Sequence, residues 1–114
     1  MSSVLKAKLE LKRLASEWRF WAERIAEATR NVLGLCEVYV FGSVAEGRAT
    51  GASDVDILIV CSKLPKDCRS RGEFRAEIEE KAGLPLYHPF EIHLADELEA
   101  SWYLRHVKRM IQIG

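Results

Sequence analysis

The chain is short of side-chain amides, of proline and cysteine, and of any excess charge. Asn31 and Gln112 are its only amides among 114 residues that carry 17 basic and 17 acidic side chains. Few thermolabile amides beside abundant charge point to a heat-adapted source. Zero net charge excludes a surface that binds nucleic acid as a whole and leaves room only for a local basic patch. No apolar run approaches the roughly 20 residues that span a bilayer. The opening Met-Ser-Ser-Val-Leu-Lys lacks the apolar core of a secretion signal, so a cytoplasmic protein without a membrane partner is expected. Cys36, Cys61 and Cys68 have no paired zinc-ligand spacing. Cys36 and Cys61 flank strand-like runs, where free thiols are expected to pack as small apolar side chains.

What is present is one domain's worth of periodic sequence. At 114 residues, 48% hydrophobic and 30% charged, there is material for a single soluble core. Val4, Ala7, Leu11, Leu14, Trp18, Trp21, Ile25, Ala28 and Val32 recur in steps of three and four, which predicts one helix over residues 3–33 ended by Gly34. Such a helix, about 45 Å long at 1.5 Å per residue, either overhangs the domain and seeks a partner or covers its own sheet. Residues 35–41 (LCEVYVF) read as a strand. Ser43 and Glu46 fit a capping box that opens a short helix stopped by Gly47. A second strand is expected over 54–60, then a basic connection to Arg71 and a helix over 72–82 opened by Ser70 and Glu73. Residues 86–94 read as a third strand. Asp96 and Glu99 cap a last helix reaching about Met110, with Ala100, Leu104, Val107 and Ile111 as its apolar stripe. This order predicts an α/β (α+β) domain with a short mixed sheet flanked by helices.

The chemistry concentrates between Phe41 and Val60. Asp54 and Asp56 open the strand and, two apart, point to one face. The following Ile57-Leu58-Ile59-Val60 is apolar enough for a strand buried on both sides. Like charges there repel and lose hydration, and a divalent cation is the simplest compensation. Glu91, in another apolar strand, joins them if the two strands are neighbours; the alternative is a pair with an arginine at a sheet edge. Gly42 and Ser43 form a turn that either caps a helix or lets a phosphate approach the backbone. Arg48 is a phosphate contact or a solvated loop arginine. His93 shares a face with Glu91 and is read as a sheet histidine with satisfied hydrogen bonds. The basic segment Lys63–Arg75 reads as a solvated connection, and Trp18, Trp21 and Trp102 as core or interface.

Gly42-Ser43, ten residues, then Asp54-x-Asp56, with a later strand acid, resembles the signature of the DNA polymerase β-like nucleotidyltransferase superfamily. The short chain is similar to its minimal nucleotidyltransferase (MNT) branch, many of whose members are antitoxins. The resemblance covers roughly residues 35–95 and implies a nucleotidyltransferase fold; with the helices read above, the chain is expected to be one domain with a long N-terminal helix (1–34), a catalytic core (35–95) and a C-terminal helix (96–114). It implies transfer of a nucleoside monophosphate, AMP from ATP foremost, to a hydroxyl of a macromolecular acceptor. Asp54, Asp56 and Glu91 are then the catalytic residues and the ligands of two Mg²⁺ ions, with Glu91 beside the acceptor. Gly42, Ser43, Arg48 and Ser53 are then the nucleotide-binding residues. The family often carries Asp where this chain has Glu91. A HEPN-domain toxin partner, or a homodimer through the N-terminal helix, is expected in place of a separate acceptor-binding domain. The other readings are a non-catalytic antitoxin or binding module and a nucleotide sensor on the same fold.

Overall fold

Alternation along three neighbouring strands decides which side chains reach the core. The computed structural model describes residues 2–50 and 54–114. Its sheet contains β1 (Cys36–Phe41), β2 (Val55–Cys61), β3 (Phe90–Ala95) and β4 (Met110–Gln112) in the spatial order β3-β2-β1-β4. β2 runs antiparallel to β1 and parallel to β3, and β4 adds antiparallel to β1. The helices are α1 (Ser3–Ser16), α2 (Trp18–Leu33), α3 (Cys68–Ala82) and α4 (Glu97–His106). The expected mixed sheet flanked by helices is the observed fold.

One face carries Val38 and Val40 of β1, Val55, Ile57 and Ile59 of β2, and Phe90, Ile92 and Leu94 of β3. These pack with Ala22 and Ile25 of α2 and Ile78 and Ala82 of α3 into the main core. The opposite face has a smaller cluster, in which Leu58, Ala95 and Ala100 are joined by Tyr39, Phe41, Tyr103 and Met110. α4 covers only part of this second face.

The N-terminal segment differs from the single helix expected. Glu17, at φ −97° and ψ 26°, interrupts it and separates α1 from α2. Burial changes along α1 as well. Val4, Leu5 and Leu9 are exposed, whereas Leu14 is fully buried, so the C-terminal end of α1 joins the core and its start does not.

Two other helix boundaries move for identifiable reasons, and one holds. Asp67, not Ser70, caps α3, its carboxylate accepting the Ser70 N–H at 2.8 Å, so the helix begins at Cys68. Gly83 ends it in the left-handed region (φ 77°), as a C-terminal glycine does. α4 has the expected Asp96–Glu99 capping box but stops at His106, and Ile111 lies in β4 rather than on a helical stripe. That last strand pairs Met110–Gln112 with Phe41–Tyr39, a pairing that three residues cannot announce locally.

The cysteine expectation is corrected. Cys36 and Cys61 are direct antiparallel partners with Cα atoms 4.6 Å apart, and they form a disulfide. That separation is typical of a non-hydrogen-bonded cross-strand pair, and it lies within the range a disulfide bridges. Cys68 is free and exposed. Among the described residues, no helix is long and apolar enough to cross a membrane.

Candidate active site

The site is built by register. Asp56 pairs with Phe41 across the antiparallel ladder and with Glu91 across the parallel one. Partners on adjacent strands project to the same side, so Phe41, Asp56 and Glu91 form one row across the second face. The next row on that face is Tyr39, Leu58 and His93. Asp56, Glu91 and His93 each offer one ligand atom within 4.8 Å of the others. Glu91 therefore faces Asp56 rather than an edge arginine.

What brings β3 into this register is partly His88. Its Nδ1 accepts the Phe90 N–H at 3.1 Å, which makes Nε2 the protonated nitrogen of the neutral ring, and Nε2 lies 3.1 Å from Glu79 Oε2 on α3. The Val55 N–H then donates to the Pro89 carbonyl at 2.8 Å. The segment entering β3 is thereby tied both to α3 and to the start of β2.

Gly42 follows Phe41 with φ 78°. A Cβ at this position would collide with Asp56 Oδ2. A side chain is excluded twice, by the backbone conformation and by the carboxylate lying against the turn. The residues after it do not form the expected helix. They close a single turn, in which the Glu46 N–H donates to Gly42 O at 3.1 Å, Gly47 to Val44 O at 3.2 Å and Arg48 to Ser43 O at 2.9 Å. Glu46 is not the far half of a capping box either, because its Oε1 takes Arg48 Nε and Nη2 at 3.2 and 3.0 Å. Arg48 thus stands at the rim of the turn in an exposed ion pair.

Asp54 is exposed one residue ahead of β2 and lies outside the Asp56–Glu91–His93 group. Ser53 lies outside the described residues. His93, expected to be a satisfied sheet histidine, has a buried Nε2 without a hydrogen-bond partner, 3.5 Å from Asp56 Oδ1. Its ring rests against Phe41 and Tyr103, with centroids 5.4 and 6.1 Å away. Burial, and then the charges of Glu99 and Asp56, raise the Tyr103 phenol above its ordinary pKa. Tyr103 was not singled out in the sequence; its place on α4 beside the acids depends on where that helix docks.

The docking of α4 rests on Arg71. Its guanidinium donates to the carbonyls of Pro65 and Leu94 at 2.7 and 3.3 Å and holds both Glu99 oxygens at 2.9 and 2.6 Å. These Arg71 bonds, followed by the Asp96 backbone N–H, lower the Glu99 carboxyl to about 2. A hollow of about 390 Å³ lies beside the Gly42–Gly47 turn, lined by Lys12, Ala15 and Trp18 from the first two helices and by Val44, Gly47 and Ala49. The acids are not among its lining residues.

The donor set suits a divalent cation. Two carboxylates and an imidazole converge, the buried imidazole nitrogen lacks a partner, and the glycine beneath leaves the Asp56 carboxylate room. Hard cations are held by one or two carboxylates together with substrate phosphates.

Comparisons with known proteins bear on the fold and the family. No curated protein matches the chain. A solved structure described as that of a candidate nucleotidyltransferase is 31% identical, with a TM-score of 0.62 over 79% of this chain and 94% of the other. A second, similarly described and from Sulfolobus solfataricus, is 22% identical, with a TM-score of 0.56 over 98% of this chain and 86% of the other, and so shows the fold. The profile of the nucleotidyltransferase domain matches residues 22–112. The chain belongs to the nucleotidyltransferase domain family.

Proposed function

We propose that this nucleotidyltransferase moves AMP from ATP to a hydroxyl of a protein acceptor, with pyrophosphate leaving and Mg²⁺ bound at Asp54, Asp56 and Glu91. The observation that carries the reading is the adjacency of Asp56 and Glu91 on the part-covered face of the sheet, against a turn that has no side chain at Gly42. Asp54 belongs to the proposal by its spacing, two residues before Asp56 at the open end of β2. When bound, Mg²⁺ supplies charge neutralisation to the attacking and leaving oxygens of the phosphoryl group. Gly42 and Ser43 admit the β- and γ-phosphates to the backbone of the turn, and Arg48 offers a guanidinium at its rim. Glu91, exposed on β3, takes the proton of the acceptor hydroxyl.

A second reading has its own support. Val4, Leu5, Leu9 and Phe20 are exposed apolar side chains on α1 and α2, a surface suited to a partner chain such as a HEPN-domain toxin or a second copy of this protein. In that reading the domain neutralises by binding alone. Co-purification of the full chain with its genomic neighbours, followed by Mg²⁺ and α-³²P-ATP, separates the two. Transfer predicts label and an added AMP mass on the partner, both absent with Asp56→Ala. A stable complex without label supports the binding module.

A further inference from the structure

We infer that His93 is a metal ligand, and that it makes the divalent site a mixed nitrogen–oxygen site favouring first-row transition ions over Mg²⁺. This rests on the reading of Asp56 and Glu91 as metal ligands and adds a donor to them. His93 Nε2 is buried and has no hydrogen-bond partner. A buried polar atom left without a hydrogen bond carries a desolvation cost, so a nitrogen kept in this position calls for an occupant. Asp56 Oδ1, 3.5 Å away, is an ion-pair partner only for a protonated ring and makes no hydrogen bond to Nε2; a cation between the two serves the neutral ring. Ligands about 2.1 Å from a common ion stand about 3.0 Å apart when adjacent and about 4.2 Å apart when opposite, and the observed separation falls between these values. Phe41 and Tyr103 hold the ring from two sides, so little rotamer freedom remains to be lost on ligation.

The chemical consequence follows from ligand type. Mg²⁺ takes oxygen ligands and gives up water reluctantly, whereas an imidazole nitrogen raises affinity for transition ions. A site of carboxylates and one imidazole binds Mg²⁺ through the carboxylates only, and gains from His93 only when a transition ion is present.

Mn²⁺ is the probe, used with the full chain, with and without a non-hydrolysable ATP analogue. Electron spin-echo spectroscopy of the bound Mn²⁺ is expected to show a histidine nitrogen coupling that changes when the protein is labelled with ¹⁵N-histidine, which separates His93 from nitrogens of the nucleotide. His93→Asn is expected to remove the coupling and weaken Mn²⁺ by about tenfold or more, the scale seen even for outer-shell partners. It should leave Mg²⁺ affinity within about twofold, since Mg²⁺ draws on the oxygens. Bound Mn²⁺ with no histidine coupling in the wild-type protein overturns the assignment of His93 and leaves the two carboxylates as ligands. Failure of the wild-type protein to bind Mn²⁺ under either condition overturns both readings. The wild-type spectrum decides the matter even if the variant misfolds.

Discussion

The two faces of the sheet are made from the same strands and do opposite work. Ile57 points into the main core between α2 and α3, fully buried, while its neighbour Asp56 points to the other face beside Glu91 and His93. A period of two makes this division, and the helices keep it. α2 and α3 cover the first face, and α4 covers only part of the second. With the proposed site on the second face, stability and chemistry fall to alternate residues of one chain segment, so a substitution at one can be silent for the other.

The sharpest test exchanges adjacent residues of β2. Asp56→Ala is expected to lower nucleotidyl transfer by on the order of a thousandfold, the loss seen when a key charge-stabilising group is removed, with the melting temperature nearly unchanged. Ile57→Ala should do the reverse and cost about 3 kcal/mol of stability by opening a cavity in the main core. Urea unfolding and an AMP-transfer assay on the two variants check both outcomes. A large stability loss in Asp56→Ala would erase the distinction between the faces.

A second test uses the far end of the same strand pair. The Cys36–Cys61 bridge closes a loop spanning 25 positions of sequence separation, and removing such a crosslink costs about 3 kcal/mol in the chain-entropy view. Cys36→Ser, measured by denaturant midpoint with and without reductant, should lose stability and its sensitivity to reductant together. The proposed transfer site around Asp56, the partner of Phe41, lies at the opposite end of the β1–β2 ladder. Activity per folded molecule should therefore persist.

The smallest effect concerns the cover of the second face. Bonding to Arg71 holds the Glu99 carboxyl down at about 2 in the folded protein against an ordinary 4.5. A depressed carboxyl stabilises the fold above its unfolded value, and that contribution is lost as pH falls from 4.5 through about 2. Calorimetric scans should therefore show wild type and Glu99→Gln converging in melting temperature as pH drops through that window. The pair is solvent-exposed on the Glu99 side, so the difference is small.

The sheet brings two of the three acids together and leaves Asp54 apart, and the turns depart from the local pattern. Glu91 is legible as a third acid because it sits in an otherwise apolar strand, between Phe90 and Ile92, and the structure sets it opposite Asp56. Ser43 and Glu46 matched a capping box, yet Glu46 pairs with Arg48 and the turn never becomes a helix. The heptad pattern over residues 3–33 identified helix but could not show the break at Glu17, a single backbone rotation that leaves the apolar spacing intact. His93 reads as an ordinary sheet histidine, and only the packing shows that its inner nitrogen is buried beside Asp56 without a hydrogen bond.

Local pattern determined the helices, the alternation of the strands and the family signature from Gly42 to Asp56, because each depends on residues within a few positions of one another. Which strands became neighbours was decided in three dimensions. Antiparallel pairing brought Cys36 to Cys61, parallel pairing set Glu91 against Asp56, and the chain end returned as β4 beside β1. Contacts across such distances in sequence depend on whole faces packing together, and no short window of residues contains that information.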